Sequence, residues 1–349
     1  MRIRDHLIET GHPAFRFKQL IAAWQNSTAE TFDQVHQLPP VLRAELSEKF
    51  GASLHPLNPI EVQRDDHLEK VLFASESGAR IETVVSHYRS GWDSMCVSSQ
   101  AGCGLGCTFC ATGAVGLIRN LTADEIAAQV MHPQWTRRGL PRPASVAFMG
   151  MGEALANPHL FDALTLLTSP DYAGYSPRRI TVSTVGFAPN LARLIQEHPQ
   201  LTLTLSVHSP FPDQRTQIIP MEERFPLAEN LDILDRHAAT SRRKIYLAYL
   251  LIAGVNDSAD HLDALARLVH ERSRPDLFHV SVIRYNEALG ADPGYRAPSS
   301  TQVHEFAAGL EAQGVHATQR RQLGTSIDAA CGQLHARYLT AVPGICQGE

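Results

Sequence analysis

Short apolar runs alternate with segments of helical spacing through most of the chain after residue 140. The runs typical of strands lie at 145–149, 180–185, 201–207, 245–252 and 278–283. The segments typical of helices lie between and after them, at 160–168, 189–197, 227–239, 259–271 and 302–312. A further run at 95–97 brings the count to about six strand–helix units. Because parallel strands buried on both faces are almost continuously apolar, the pattern predicts an α/β fold, either a partial (β/α)6 barrel or an open doubly wound sheet.

The first part of the chain has a different pattern. Apolar residues recur at helical spacing around Phe15, Leu20 and Trp24, which predicts a small helical domain over residues 1–58. Short alternating runs separated by Ser-Gly turns predict a short β extension over residues 59–94. We therefore expect an N-terminal helical accessory domain, this connecting β region, a core domain over 95–340 and a tail over 341–349.

Residues 122–125 have the form of a capping box. Thr122 would cap the start of a helix, and the Glu125 side chain would reach back to the Thr122 amide. We therefore predict a helix that begins just after Thr122 and continues to about Met131.

Composition excludes several classes of protein. With 44% hydrophobic and 19% charged residues in 349, the chain is globular rather than disordered. It has no apolar run of about 18 residues and no apolar stretch after the charged residues at its start, so we expect no membrane span, no secretory signal and a cytoplasmic location. The net charge of −5 argues mildly against a nucleic-acid partner. Basic clusters offset it locally at 137–138, 178–179, 242–244 and 320–321.

Three of the six cysteines, Cys103, Cys107 and Cys110, lie within eight residues with the spacing C-x3-C-x2-C. A 4Fe-4S cluster ordinarily takes four thiolates, so three leave one iron open for a substrate. A structural zinc site would need four ligands, usually in two separated pairs. Glycines at 102, 104 and 106 would let the loop curl around a bulky cofactor. The cluster of cysteines therefore predicts an iron–sulfur site.

Polar residues follow several of the predicted strands at the ends where an α/β fold places its chemistry. Glu153 follows the second strand, and Asn286 follows the sixth. Ser183 ends the third strand, and Ser206 ends the fourth. A carboxylate at a strand end suits an ammonium group, and hydroxyl and amide groups can hydrogen-bond a ribose, an adenine or a carboxylate.

The cysteine spacing, with Phe109 before the last cysteine, resembles the signature of radical S-adenosylmethionine (SAM) enzymes. Further stretches resemble the Cfr/RlmN family of radical SAM RNA adenine methyltransferases. They lie at 96–103, 119–126, 148–157, 206–208, 254–257 and 327–334, in family order, and cover roughly residues 15–338. The Cfr branch is the more similar one, through the ending at 154–157 and the runs at 88–92, 209–211 and 283–286. The resemblance implies a partial radical SAM barrel, a 4Fe-4S cluster and SAM, with the helical domain contacting RNA.

The resemblance also implies roles for individual residues. The SAM contacts would be Gly152, Glu153, Ser183, Ser206, Val207, His208 and Asn286, and the cluster ligands Cys103, Cys107 and Cys110. In the family, the residue at Cys331 is methylated by one SAM, and a 5′-deoxyadenosyl radical from a second SAM activates the S-methyl group, whose carbon then adds to adenine. The residue at Cys96 releases the product through a transient disulfide with Cys331, and Glu82 is the general base. Cys346, in the tail, matches nothing in the family.

Cfr proteins methylate C8 of adenosine 2503 in 23S rRNA, which confers resistance to ribosome-targeting antibiotics, whereas RlmN proteins methylate C2 of the same base and, in some bacteria, a tRNA adenosine. Both carbons are electron-poor and poor nucleophiles, which is why a radical is needed. We expect the C8 activity, a monomer and an electron donor such as flavodoxin or ferredoxin. The alternatives are the C2 activity and, from another class, a non-catalytic iron–sulfur or zinc RNA-binding module, for which redox-pairable thiols would have no use.

Overall fold

The computed structural model describes residues 2–26, 29–136, 142–321, 323–324, 327–330 and 332–336. Three helices come first in the chain. They are α1 (Arg2–Glu9), α2 (Phe15–Asn26) and α3 (Pro40–Phe50). Pro40 occupies the first turn of α3, where the N–H group that proline lacks would have no partner within the helix. Helices therefore form where apolar spacing predicted them.

Four antiparallel strands follow the helices. They are β1 (Leu57–Arg64), β2 (Leu68–Ser75), β3 (Arg80–His87) and β4 (Asp93–Val97). β4 crosses the expected boundary between the β extension and the core at residue 94, because the sheet continues through it without a break. The division into domains stays a prediction.

Along the chain, a small hairpin and two helices come between β4 and the next strand of the large sheet. β5 (Gln100–Gly102) pairs with β6 (Leu117–Asn120), and helix α4 (Ala111–Val115) lies between them. Helix α5 (Ala123–Thr136) follows. The predicted capping box is confirmed, because the Thr122 amide donates to the Glu125 carboxylate at 2.9 Å and the Glu125 amide donates to the Thr122 hydroxyl at 3.2 Å.

Strands and helices then alternate to the end of the sheet. They are β7 (Ser145–Phe148), α6 (Leu160–Thr168), β8 (Ile180–Thr184), α7 (Ala188–Glu197), β9 (Thr202–Ser206), α8 (Pro212–Ile218), α9 (Leu227–Ser241), β10 (Ile245–Leu251), α10 (Ala259–His270), β11 (Phe278–Arg284), α11 (Ser300–Ala312) and β12 (Ala317–Gln319). The strand order is β1-β2-β3-β4-β7-β8-β9-β10-β11-β12, and every pair from β4 onward is parallel. The predicted α/β fold with a parallel sheet is confirmed. β12 is an additional parallel strand, which the apolar pattern did not predict because two of its three residues are exposed.

One hydrophobic core extends from the N-terminal helices to the last strand. Leu247, Tyr249 and Leu251 of β10 are fully buried, as expected for a strand covered on both faces. Trp24 of α2 packs edge-on against Tyr172, with ring centroids 5.5 Å apart, which joins the helical region to the core. No helix in the described parts of the chain is both long and apolar enough to cross a membrane.

Candidate active site

A cavity of about 270 Å³ opens along the parallel strands and at their C-terminal ends. Its lining includes eight of the predicted site residues: Cys96, Cys110, Gly152, Glu153, Ser183, Ser206, His208 and Asn286. Cys103 and Cys107 lie next to it in the cysteine loop, and the Val207 side chain is buried in the core. The structure therefore brings residues from five separate strand ends and the cysteine loop to one place.

The cysteine loop connects β5 to α4 and is closed by backbone hydrogen bonds. The Cys103 amide donates to the Gly116 carbonyl at 2.9 Å, and the Cys110 amide donates to the Cys107 carbonyl at 3.2 Å. Gly102 has a φ of +70°, and a Cβ atom there would overlap the carbonyl oxygen of Gly116. Only glycine fits this position, which explains one of the three glycines in the loop.

The thiols of this loop lie in surroundings that disfavour a negative charge unless a cation compensates it. Burial raises the pKa of Cys103 to about 12 and that of Cys107 well above its ordinary value, and the Cys110 thiolate adds to both effects. Iron would supply the positive charge. Within the described residues no three ligand side chains converge on a single metal ion. Three cysteines fit a cluster, in which each cysteine would bind a different iron, whereas a structural zinc site takes four ligands.

Glu153 is a buried carboxylate held by backbone amides. It accepts hydrogen bonds from the amides of Leu155 at 3.1 Å and Val185 at 3.0 Å. Burial raises the pKa of Glu153, and these hydrogen bonds oppose the shift. An ammonium group entering the cavity would find here a carboxylate whose orientation is already set.

The segment 98–100 ties the cysteine hairpin to the loop that carries Glu153. The Gln100 side chain accepts a hydrogen bond from the Glu153 amide at 2.9 Å, and the Ser98 hydroxyl accepts one from the Met151 amide at 2.9 Å. Gly152 has a φ of +92°, and a Cβ atom there would lie 2.5 Å from the Cβ of Gln100. Close backbone approach therefore accounts for Gly152.

His208 is buried and neutral. Its Nδ1 accepts a hydrogen bond from the Leu250 amide at 3.1 Å, so Nε2 carries the proton. Burial, together with the charge of Arg215, lowers the pKa of His208 to about 3. Phe109, next to Cys110, meets the imidazole edge-on at 4.9 Å. The ring is thus a fixed neutral donor between the cysteine loop and the strand ends.

Asn256 and Arg215 organise these strand ends, and sequence reasoning gave neither of them a role. The fully buried Asn256 amide donates to the carbonyls of His208 at 2.6 Å and Leu250 at 2.7 Å. The fully buried Arg215 donates to the Val207 carbonyl at 2.9 Å and the Ser206 carbonyl at 2.8 Å. Asn256 lies in the stretch 254–257, which resembles the family, so the sequence could have indicated its importance. Arg215 lies on the polar helix α8, and nothing in the sequence of that helix indicates that the side chain is buried.

Arg215 also forms an ion pair with Glu222, which is itself buried and accepts a hydrogen bond from the Leu227 amide at 2.9 Å. A further Arg215 N–H donates to the Val185 carbonyl at 2.6 Å. Because Arg215 and Glu222 are both buried, Glu222 and the carbonyls stabilise the charge of Arg215 in place of water. The pair therefore clamps the C-terminal ends of β8 and β9.

Glu82 is buried on β3 and is surrounded by donors. Its carboxylate lies 3.4 Å from the Lys70 ammonium and accepts hydrogen bonds from the amides of His335 at 3.0 Å and Ala336 at 3.1 Å. A carboxylate on a strand could have been exposed to solvent, but Glu82 is only 2% exposed, because the C-terminal segment covers it. Glu82 is not among the residues that line the cavity.

Cys331 lies outside the described residues, but the chain on both sides of it is described. Ala330 and Gly332 line the cavity. The Gly332 carbonyl accepts a hydrogen bond from the Ala111 amide at 2.9 Å, and Ala111 directly follows Cys110.

Positive charge is concentrated at this cavity, although the chain as a whole is acidic. Arg284, Arg320 and Arg321 contribute to the lining, whereas Glu153 is its only acidic residue among those described. The basic pair at 320–321 therefore belongs to the site.

Comparisons with known proteins agree with this site. Residues 97–269 match the radical SAM superfamily. The chain is 42% identical to the ribosomal RNA large subunit methyltransferase Cfr of Bacillus velezensis over 97% of its length and 96% of that protein, and 40% identical to Cfr of Staphylococcus aureus with the same coverage. A crystal structure of a radical SAM methyltransferase from Sphaerobacter thermophilus is 36% identical, with a TM-score of 0.87 and 96% of each chain covered. The chain therefore belongs to the Cfr family of radical SAM methyltransferases.

Proposed function

We propose that this protein methylates C8 of adenosine 2503 in 23S rRNA, through a methyl group carried on Cys331. The observation that carries the proposal is the convergence on one cavity of Cys96, the cluster ligand Cys110 and both chain neighbours of Cys331. A thiol that carries the methyl, a thiol that can attack it and a radical source must be close together for this chemistry. The similarity to proteins named as ribosomal RNA methyltransferases supports RNA as the substrate.

The residues described above have distinct tasks in this proposal. Cys103, Cys107 and Cys110 would hold the 4Fe-4S cluster, which supplies, when bound, the electron for reductive cleavage of SAM. The Glu153 carboxylate would orient the SAM amino group. The hydroxyls of Ser183 and Ser206 and the Asn286 amide would hydrogen-bond the rest of SAM. The Nε2–H group of His208 would donate a hydrogen bond to SAM. Because the ring stays neutral near pH 7, it would orient SAM without taking a proton from it.

Cys331 would accept a methyl group as a thiolate. Each catalytic cycle would use two SAM molecules, one as the source of the methyl group and one as the source of the radical. After the carbon has joined the adenine, the adduct radical must pass one electron to an acceptor, such as the oxidised form of the electron donor, and lose the proton of the adenine carbon.

The Cys96 thiolate then attacks the Cys331 sulfur and forms a disulfide. The sulfur–carbon bond breaks, and its electron pair stays with the former methyl carbon, which takes up a proton to complete the methyl group on the base. A reductant must then restore both thiols. An electron donor such as flavodoxin or ferredoxin would also reduce the cluster. We expect the protein to be a monomer in the cytoplasm, where the electron donor, the reductant of the disulfide and the rRNA are all present.

Glu82 would accept the proton that leaves the adenine carbon. Its contacts impose a condition, because the carboxylate is already occupied by Lys70 and by the amides of His335 and Ala336. The segment 332–336 must therefore release Glu82 when RNA binds. We expect Glu82→Gln to lower the rate of methyl transfer and to increase amide hydrogen exchange in this segment. A purely structural role would change the exchange without altering the pH profile of methyl transfer.

Anaerobically purified protein, RNA and methyl-labelled SAM test the proposal. Cys331→Ala should abolish methyl transfer while SAM cleavage remains measurable, and Cys96→Ala should accumulate a covalent protein–RNA adduct. Cys346→Ala is the matched control and should behave like the wild type. Methylation by Cys331→Ala, or free release of product by Cys96→Ala, would contradict the thiol roles.

Two other functions predict different results in the same assay. Methylation at C2 of the same adenosine, or of a tRNA adenosine, would move the protein to the RlmN type of activity. A non-catalytic iron–sulfur or zinc RNA-binding module would bind RNA without methylating it, and iron and sulfide analysis would distinguish the cluster from zinc.

A further inference from the structure

An aromatic pair extends the wall of the cavity to the protein surface. Tyr88 lines the cavity, and the Trp92 ring stacks on it with centroids 4.1 Å apart and planes 15° from parallel. Trp92 is 42% exposed, whereas Trp24 is 6% exposed in the core. An exposed tryptophan stacked beside a site is a candidate for contact with a partner.

The pair lies in the tight turn between β3 and β4. The Tyr88 amide donates to the Trp92 carbonyl at 3.1 Å, and the Gly91 amide donates to the Tyr88 carbonyl at 2.9 Å. Gly91 has a φ of +82°, which this turn needs and glycine provides. His87 and Asp93 close the base of the turn with a hydrogen bond of 2.8 Å. The stacked rings are therefore pre-organised before any partner arrives.

The position of the pair follows from the register of the strands. Val84 and Ser86 point to the cavity together with Tyr88, and Val84 lies opposite Cys96. At about 3.3 Å per residue, Tyr88 lies roughly 13 Å along the strand from the level of Cys96. This separation exceeds the size of one base and suits a nucleotide that flanks a target base held beside Cys96.

The charges around the pair favour a nucleic acid over an apolar peptide. Arg89, in the same turn, is exposed, and Arg320 and Arg321 contribute to the cavity. The carboxylate in the turn, Asp93, is engaged by His87. Exposed aromatic faces next to arginines are the usual platform for unpaired bases.

We propose that Trp92, supported by Tyr88, is a stacking platform for an unpaired base that flanks the target adenosine. The proposal rests on the RNA methyltransferase function proposed above. Stacking is tolerant of base identity, so the platform contributes affinity and position, whereas the cavity selects the target base.

The test uses KM and kcat of purified enzyme on RNA fragments that contain the target adenosine. Trp92→Leu keeps apolar bulk without a ring and should raise KM for RNA about 5- to 150-fold, the range typical of one stacked base. Trp92→Phe keeps a ring and should remain close to the wild type. RNA-independent SAM cleavage reports whether each variant has assembled its SAM site.

A second set of RNAs makes the assignment specific. Each of the two nucleotides on either side of the target is replaced in turn by an abasic site. On one of these RNAs the wild type and Trp92→Leu should have the same KM, because that RNA lacks the base that would stack on Trp92. A KM unchanged by Trp92→Leu, or an effect that persists on all four abasic RNAs, would overturn the platform while wild-type methylation stands. Absence of methylation by the wild type would overturn the proposed function, and the platform with it.

Discussion

Alanine substitutions at the three glycines of the cysteine loop should differ strongly in effect, because the structure gives each glycine a different reason to be there. Gly106 has a φ of +67° and open space around its Cα atom. Gly102 combines a φ of +70° with overlap on the Gly116 carbonyl. Gly104 has no positive φ, and a Cβ atom there would lie 3.3 Å from Leu117, which is exposed and can move.

These differences translate into free energies of loop formation. A left-handed φ costs an L-residue roughly 1–2 kcal/mol, which is the expected effect of Gly106→Ala. Overpacking adds about 1–3 kcal/mol, so Gly102→Ala should lose about 2–5 kcal/mol. Gly104→Ala should cost little, because it meets neither penalty in full and reduces the entropy of the unfolded chain.

The assay is iron and acid-labile sulfide per chain after anaerobic reconstitution, with urea unfolding of the iron-free protein beside it. We expect wild-type iron content for Gly104→Ala, reduced content for Gly106→Ala and almost none for Gly102→Ala. Equal iron content in the Gly102 and Gly106 variants would refute the reasoning, because it would mean that the contact with Gly116 does not shape the loop.

Three further predictions concern the strand ends. Arg215→Met leaves Glu222 buried without its partner and should lower the free energy of unfolding, measured by urea titration, by about 3–5 kcal/mol. Arg193→Met is the control, because Arg193 forms an exposed pair with Glu197, and it should change that free energy by under about 1 kcal/mol. The pKa of His208 is lowered to about 3 from 6.5, so the unfolded state takes up a proton at a higher pH than the folded state does. The contribution of His208 to the free energy of unfolding should therefore be complete above pH 6.5 and fall as the pH approaches 3. The fall should be less steep in His208→Asn, and an unchanged pH profile in that variant would contradict the buried neutral ring. Gly152→Ala, which forces a Cβ atom against Gln100, should weaken SAM binding in equilibrium dialysis while iron content stays at the wild-type level.

The parts of the fold that the sequence predicted are those that depend on local pattern. The apolar run at 245–252 became β10, and the segment at 160–168 became α6, because burial on both faces of a strand or one face of a helix leaves a direct trace in the sequence. The capping box at 122–125 formed for the same reason, since its partners are only three residues apart. The polar residues at strand ends converged because parallel strands place their C-terminal ends together.

The parts that could not be predicted depend on contacts between distant residues. Glu82 receives the amides of His335 and Ala336, more than 250 residues away along the chain. Arg215 is buried because Glu222 and carbonyls from two strands surround it, and no local pattern of polarity indicates this. The basic pair at 320–321 has the composition of a solvated surface, and only the course of the chain after β12 brings it to the cavity. Register and long-range packing, rather than periodicity, decide these features.

The measurement that tests the central claim most directly is mass spectrometry of 23S rRNA from cells with and without this gene, focused on adenosine 2503. The account predicts 8-methyladenosine at that position only when the gene is present, with or without 2-methyladenosine beside it. A gain of 2-methyladenosine alone, or no change at all, would contradict it.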